Sequence, residues 1–223
     1  MKCTLSLKIL TSAAILVLCI GGSFSSLRGA VKVVTPADNL VATCQSLAPG
    51  DTLQLRGGIY RVMLDRVIPG GTSWSIPVVI QSFPGEQAIL QAPAGNPYCV
   101  NFEGGAQYIV WDRINVDATL VWGNAIKIAR NSASSPPAHH IRIQNTDVWG
   151  APNTGILVQG GSDWCEFLNL KVHDNGKKID NDQLYSYAFY IKSANNILRN
   201  IRAYGNGSSG IQIFSTTAAT DNP

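Results

Sequence analysis

Apolar and polar residues alternate one by one in the segments that follow residue 108. Four of these segments align without gaps around one shared position, called the aligned slot. It is occupied by Asn145, Asn169 and Asn200 in three segments and by Arg113 in the fourth. Alternation with a period of two is typical of a half-buried β-strand. The aligned segments are IVWDRINVDA at 109–118, IRIQNTDVWG at 141–150, CEFLNLKVHD at 165–174 and NILRNIRAYG at 196–205.

A second short apolar strand follows each segment, at AIKIA, GILVQ, AFYIK and GIQIF. Eleven residues lead from Asn145 to Ile156, and thirteen lead from Ile156 to Asn169. The uninterrupted repeat therefore has a period of 24 residues, and no helical pattern interrupts it. Short strands at this period, with glycine and asparagine between them, predict an all-β fold. It is a single-stranded right-handed parallel β-helix, a solenoid whose turns stack at about 4.8 Å.

The asparagines of the aligned slot have a structural interpretation. Asparagine tolerates left-handed backbone angles at a corner, and its amide can bond to the neighbouring turn. Stacked in successive turns, Asn145, Asn169 and Asn200 are expected to form a ladder that satisfies buried polar groups. We interpret Asn175 and Asn206, which match each other at a second corner, in the same way.

One helix is predicted before the first pair of strands, in TPADNLVATCQSLAPGD at 35–51. Thr35 is the expected N-cap, and a proline follows in the first turn. Leu40, Val41 and Leu47 form one apolar face before Pro-Gly ends the helix. An uncovered solenoid end is an aggregation-prone edge, so we expect this N-terminal helix to cap the first coil.

The first residues have the pattern of a signal peptide, with two lysines, an apolar run over 9–20 and then small residues. The run is shorter than the roughly 20 residues needed to span a bilayer. We therefore predict a signal peptide over residues 1–25, a secreted protein (extracellular or periplasmic), and no membrane contact after its removal. A lipoprotein anchor at Cys19 and an uncleaved membrane anchor remain alternatives.

Residues 26–223 are then expected to form one β-helix domain. The chain closes on a strand and a polar stub, as expected of the front part of a longer protein or of a short member whose end is covered by something else. Cys44, Cys99 and Cys165 remain after removal of the signal; they allow at most one disulfide of undetermined pairing, and we expect buried thiols. The net charge is +3 and the 17 Lys and Arg residues are scattered, so we expect no nucleic-acid partner. We also expect a monomer.

Several stretches resemble the pectin-lyase-like superfamily of right-handed parallel β-helices. They are LAPGDTLQLRGGIYR at 47–61, IPVVIQSFPGEQAIL at 76–90, HDNG at 173–176 and YGNGSSGIQI at 204–213. The resemblance runs from about residue 35 to the C-terminus and is nearest to exported β-helix repeat proteins and to lyases of the alginate-lyase and chondroitinase-B type. It implies an acidic polysaccharide as partner and β-elimination as activity. A non-catalytic module for glycan binding or surface adhesion is the alternative.

Lyases of this fold need a base and a cation that neutralises the uronic carboxylate, often Ca²⁺. The resemblance therefore directs attention to HDNGKKIDND at 173–182, part of which is inserted into the repeat. Lys177 and Lys178 are the candidate catalytic bases. The alternative for this insertion is a solvated loop without chemistry. The candidate Ca²⁺ ligands are Asp174, Asp180 and Asp182.

Aromatic and histidine side chains complete the set of candidates. Trp149, Tyr185 and Tyr187, together with Trp122, are expected either to stack on sugar rings or to pack across coils. His173 aligns with Trp149 and Tyr204, so we interpret its position as one of the repeat rather than as that of a base. His139 and His140 are adjacent, and on extended backbone their side chains would point to opposite sides, which disfavours a shared metal site.

Overall fold

The computed structural model describes residues 29–176 and 186–214 of the chain. Within these ranges the protein is an all-β parallel solenoid of about 5 turns with very little helix. The strands before residue 120 are β1 (Val31–Val34), β2 (Thr52–Leu55), β3 (Gly58–Tyr60), β4 (Leu64–Asp65), β5 (Val78–Ser82), β6 (Ala88–Leu90), β7 (Tyr98–Phe102), β8 (Gln107–Asp112) and β9 (Ile114–Asp117). The later strands are β10 (Asn124–Ile128), β11 (His139–Gln144), β12 (Asp147–Trp149), β13 (Ile156–Val158), β14 (Glu166–His173), β15 (Tyr187–Ile191), β16 (Ile197–Tyr204) and β17 (Ser209–Ile213).

A complete turn of the solenoid contains three strand segments, two in sheet A and one in sheet B. Sheet A stacks the first segments in the order β1-β2-β5-β8-β11-β14 and the second segments in the order β3-β6-β9-β12-β14. Strand β14 belongs to both rows because it continues through the corner, and β16 pairs with it along its length. Sheet B stacks β4-β7-β10-β13-β15-β17. The pairings between these strands are parallel, which confirms the predicted parallel solenoid.

A ladder of asparagines occupies the corner between the first and second segments. Asn145, Asn169 and Asn200 have left-handed backbone angles, with φ of 54°, 57° and 55°. Nδ2 of Asn169 donates to Oδ1 of Asn145 at 3.0 Å, and Nδ2 of Asn200 donates to Oδ1 of Asn169 at 3.0 Å. One turn earlier Arg113 has φ of 56°, and Oδ1 of Asp112 accepts a hydrogen bond from Nδ2 of Asn145 at 2.8 Å. The side chains thus join successive turns where the backbone bends.

A second pair of asparagines lies after the second segment of sheet A. Asn175 is fully buried, and its Nδ2 donates to Oδ1 of Asn206 on the next turn at 3.1 Å. The Oδ1 atom of Asn175 accepts a hydrogen bond from the backbone N–H of Ala151 on the preceding turn at 3.0 Å. Because the amide bonds to both neighbouring turns, its burial leaves no polar atom of this side chain without a partner.

The interior of the solenoid is apolar because every second residue of each strand faces it. Phe102 packs edge-to-face on Trp111 with ring centroids 6.5 Å apart, and Phe167 packs on Phe189 in the same way at 5.5 Å. The indole N–H of Trp111 donates to the backbone oxygen of Ile114 at 3.0 Å, so its one polar atom is satisfied. Each fully buried side chain of this size contributes about 1.5–3 kcal/mol to the free energy of unfolding.

A short helix, α1 (Leu40–Gln45), lies between β1 and β2, and Leu40 and Cys44 are buried in the core. The predicted N-cap at Thr35 is wrong, because Asn39 caps the helix and its Oδ1 accepts from the N–H of Ala42 at 3.0 Å. Thr35 instead donates from both its N–H and its Oγ1 to Oδ2 of Asp38, at 2.7 and 2.8 Å. These bonds form a separate turn, which delays the start of the helix to Leu40.

The three cysteines of the described residues, Cys44, Cys99 and Cys165, are free and buried. Burial raises the pKa of each thiol to about 12, so all three stay protonated at neutral pH. They act as small apolar side chains, as expected from their spacing.

The prediction of a signal peptide over residues 1–25 lies outside the described residues. Within 29–176 and 186–214, no helix has both the length and the apolar character needed to cross a bilayer.

Candidate functional site

The outer face of sheet B carries an in-register column of mostly polar side chains, which we call the sheet-B column. It faces away from the core because its members alternate with buried apolar residues such as Val100 and Ile126. Parallel pairing places one member on each successive turn. In order along the solenoid axis, the members are Asp65, Asn101, Lys127, Leu157, Tyr190 and Gln212.

A largely buried ion pair lies at the centre of this face. Nζ of Lys127 is 2.6 Å from Oε1 of Glu103, and the two side chains are only 16% and 6% exposed. Lys127 also lies over the ring of Tyr98, 5.1 Å from its centroid. Burial acts to lower the pKa of Lys127, but the Glu103 carboxylate and Tyr98 outweigh it, so the pKa is raised. Lys127 is therefore a cation at neutral pH.

Asp65 and Asn101 form the next part of the face. Nδ2 of Asn101 donates to Oδ1 of Asp65 at 2.7 Å, and the Arg66 guanidinium is 2.9 Å from Oδ2 of the same carboxylate. Arg66 also donates to Oδ1 of Asn131 at 2.8 Å. Asn101 is buried, and its Oδ1 has no hydrogen-bond partner. The amide orientation is set by Asp65, because rotating the amide would place two oxygen atoms together.

A buried amide oxygen without a partner costs about 1–3 kcal/mol, and such groups are uncommon in native proteins. The oxygen lies on the same face as the buried Lys127–Glu103 pair, and perturbed charged groups of this kind concentrate at functional sites.

A cleft of about 290 Å³ adjoins this face, next to Arg66 and Glu103. Its walls are Gln45 at the end of α1 and the segments 66–70 and 103–106. The Arg66 side chain is 45% exposed, so its guanidinium is accessible although it is paired with Asp65. The cleft therefore offers a cation and a carboxylate close to the buried part of the column.

The far end of the sheet-B column is aromatic. Tyr187, one of the predicted sugar-binding residues, packs against Tyr190 with centroids 5.3 Å apart. Nζ of Lys192 lies 4.9 Å from the Tyr190 centroid and 5.5 Å from that of Phe214. The structure thus brings Tyr187 to the same sheet as Lys127.

The predicted catalytic bases Lys177 and Lys178, the predicted Ca²⁺ ligands Asp180 and Asp182, and Tyr185 lie outside the described residues. The remaining predicted Ca²⁺ ligand, Asp174, is described, and its Oδ2 is 2.8 Å from Nδ1 of His173. Among the residues that the structure describes, no three His, Cys, Asp or Glu side chains converge in a way that could hold a metal ion.

Trp149 and His173 lie on the second segments of sheet A, away from the sheet-B column. The Trp149 ring stacks on His173 at 6.0 Å, and His173 stacks on Tyr204 at 4.7 Å with almost parallel planes. The pairings Trp149–His173 and His173–Tyr204 confirm that the three residues share one position of the repeat. Trp149 therefore packs across coils, which was one of its two predicted roles.

The prediction that His139 and His140 point to opposite sides is wrong. His140 has φ of 53°, so the backbone at this position is left-handed rather than extended. The turn in the chain brings the two Nδ1 atoms to 2.6 Å, where one ring must donate its proton to the other. Burial, and then the neighbouring His139, lower the pKa of His140.

Sequence reasoning missed Asn101, Glu103 and Lys127. The available signal was a polar residue between apolar neighbours, as in YCVNFEG and NAIKIA. Outward positions of half-buried strands are normally polar, so this signal did not separate the three residues from ordinary surface positions.

The chain matches no protein-family model and no curated protein, and its fold matches no solved structure, in the comparisons made.

Proposed function

We propose that this protein binds polysaccharide along the sheet-B column. The observation that carries the proposal is the in-register polar column on the outer face of sheet B, with the Lys127–Glu103 pair at its centre and the exposed Arg66 guanidinium beside Asp65. Polysaccharides supply many hydroxyl donors along an extended chain. A column with one side chain per turn, spaced at about 4.8 Å, is suited to such a repeating ligand.

The charges of this face favour recognition of hydroxyl groups near an anionic substituent. Lys127 and Arg66 are each paired with a carboxylate, so an incoming chain meets ion pairs rather than bare cations. The exposed part of the Arg66 guanidinium retains donors for a carboxylate or sulfate. An acidic glycan therefore fits the face better than a neutral one.

The sequence supports three further features of the proposed protein: the right-handed coil, the N-terminal cap and export from the cell. The resemblance to pectin-lyase-like proteins supports a right-handed β-helix, and crossovers between parallel strands are right-handed in nearly all proteins. The packing of Leu40 and Cys44 in the core supports α1 as a cap of the first coil. The N-terminal pattern supports export, and thus contact with extracellular or periplasmic glycans.

A polysaccharide lyase is the second candidate, favoured by one topological observation. In the chain, Lys177 and Lys178 stand between β14 of sheet A and β15 of sheet B, the sheet that carries the column. The raised pKa of Lys127 keeps it protonated, so it is unsuited to accept the substrate proton. The base would then be Lys177 or Lys178, with Ca²⁺ held by Asp174, Asp180 and Asp182.

The test is binding of alginate, pectate and chondroitin, measured by affinity electrophoresis and calorimetry. The paired variant Glu103→Leu/Lys127→Met should bind at least about tenfold more weakly, because it removes the polar centre of the face without leaving a lone buried charge. The matched control is Asp147→Leu/Lys171→Met, which removes an ion pair of sheet A and likewise leaves the net charge unchanged. Equal losses for the two variants would show a nonspecific charge effect, and no binding by the wild type would refute the proposal.

Lyase activity is measured separately as absorbance from new unsaturated ends, with and without Ca²⁺. Activity that disappears in Lys177→Ala or Lys178→Ala while binding persists would establish the second candidate. Binding without any such absorbance would leave the non-catalytic function.

A further inference from the structure

A second row of aromatic side chains lies at the start of the first segments of sheet A. Tyr108 and His140 lie between residues that pair in β8 and β11, and Trp164 precedes Glu166 by two residues just as His140 precedes its partner Arg142, so the three occupy the same position on successive turns. We call these three residues the aromatic column. All three have left-handed backbone angles, with φ of 49°, 53° and 59°. This conformation is unfavourable for bulky residues, and such outliers concentrate at binding and switching sites.

The rings of the aromatic column stack along the solenoid axis. The centroids of Tyr108 and His140 are 4.7 Å apart, and those of His140 and Trp164 are 6.2 Å apart with planes inclined by 17°. Trp74 supports the column from a loop, edge-on to Tyr108 at 5.5 Å. The Arg142 guanidinium lies 4.4 Å from the Trp74 ring, so the base of the column is held on two sides.

Trp164 ends the column. On the next turn the corresponding residue is Asn195, which also has a left-handed φ of 57° but carries no ring. Trp164 is 54% exposed, so its indole face is accessible while its other side is fixed against His140. A rigid, exposed indole loses little conformational entropy when a flat ligand stacks on it.

Polar residues neighbour Trp164 in the chain and in the register of the next turn. Asp163 precedes it in the chain, Asn195 lies one turn further along, and Glu166 is held by a two-point ion pair with Arg142 at 2.8 and 3.0 Å. A planar apolar surface bordered by carboxylate and amide groups matches a pyranose ring, whose faces carry C–H groups and whose edge carries hydroxyls.

We propose that Trp164 at the end of the aromatic column is a second carbohydrate-binding surface, separate from the sheet-B column. This inference rests on the proposed function, since it takes the same class of ligand. Two contact surfaces on one solenoid would increase the affinity for long glycan chains over short ones, because the second contact becomes intramolecular.

The test compares Trp164→Ala with Tyr204→Ala, the loss of another exposed ring that ends a stack, since Tyr204 is 48% exposed and stacks on His173 in the second segments of sheet A. The ligands are long chains and hexasaccharides of alginate, pectate and chondroitin, titrated by calorimetry. Trp164→Ala should weaken binding of the long chains by about five- to tenfold, the factor that one stacking contact supplies, and Trp164→Phe should restore part of it. Tyr204→Ala should bind as the wild type does.

A second readout is the side-chain indole N–H signal of Trp164 in NMR spectra, assigned from Trp164→Phe. It should shift on addition of hexasaccharide in the wild type and in Glu103→Leu/Lys127→Met. Binding lost only in the paired variant, with an unmoved Trp164 signal, would overturn the second surface and leave the sheet-B proposal intact. Binding lost only in Trp164→Ala would overturn the sheet-B proposal and leave the Trp164 surface intact. A Trp164→Ala variant that unfolds more easily but binds normally would show that the aromatic column is purely structural.

Discussion

The Lys127–Glu103 pair gives the sharpest prediction on stability. Lys127→Met leaves the Glu103 carboxylate, which is 6% exposed, without its cation. Removing one partner of a buried ion pair costs about 3–5 kcal/mol, because the remaining charge stays desolvated. We expect about 3 kcal/mol, at the lower end, because Lys127 is 16% exposed and water can replace part of its ammonium. For a chain of this size the melting temperature should fall by about 6–12 °C.

The paired variant Glu103→Leu/Lys127→Met removes both charges at once. Its free energy of unfolding should lie within about 1 kcal/mol of the wild type, since apolar replacements of buried ion pairs are often neutral or stabilising. Glu103→Leu alone should cost less than Lys127→Met, because the long lysine side chain can move its ammonium to solvent. Urea denaturation of the four proteins gives the coupling energy directly, and we expect about 2–3 kcal/mol. A coupling below about 0.5 kcal/mol would mean that the pair is solvated, and the argument for a desolvated site would fail.

Three further predictions concern other parts of the solenoid. Asn169→Ala should lower the free energy of unfolding by about 1–3 kcal/mol, because it removes two ladder hydrogen bonds and places alanine at a φ of 57°. Asn169→Gly should lower it less, because glycine adopts this angle without strain. Equal losses of stability for the two variants would count against backbone strain at this position. Because the pKa of His140 is lowered, the folded chain binds fewer protons than the unfolded chain below about pH 6.5. The free energy of unfolding should therefore be constant above that pH and decrease toward pH 5. His140→Gln should reduce this dependence of the free energy of unfolding on pH, as measured by urea denaturation at each pH. Cys44, Cys99 and Cys165 should resist alkylation in the native protein at pH 8 and react after unfolding, as mapped by mass spectrometry; rapid native labelling would contradict their raised pKa.

The parallel solenoid could be predicted from the sequence because its main determinants are local. Alternation with a period of two specifies the strands, and the recurring asparagine specifies the corner at which each turn bends. Asn145, Asn169 and Asn200 all have the left-handed backbone and the inter-turn bonds that their shared slot suggested. The helix start was misplaced because Thr35 and Asn39 are both good caps, and the contact of Thr35 with Asp38 decides between them.

The columns could not be predicted, because they depend on which residues of distant turns become neighbours. Asn101 and Lys127 pair across a turn whose length differs from the regular repeat, so the sequence period does not align them. His140 was assigned an extended backbone because histidine alone carries no signal for a left-handed angle. Only the register shows that Tyr108 and Trp164 share its conformation and its place on the surface.

The free energy of unfolding of the Lys127–Glu103 variants tests whether this ion pair is needed for folding or for another role on sheet B. If apolar residues at both positions keep the solenoid as stable as the wild type, folding does not require the charges at this place. Asn101 likewise lowers stability, because its buried Oδ1 has no hydrogen-bond partner. Charged groups that do not help the chain fold, yet lie together on one face, support the proposal that this face binds a ligand. The same reasoning applies to the aromatic column. Three bulky residues adopt an unfavourable left-handed backbone and keep the Trp164 indole exposed to solvent, although burial of this ring would stabilise the fold more.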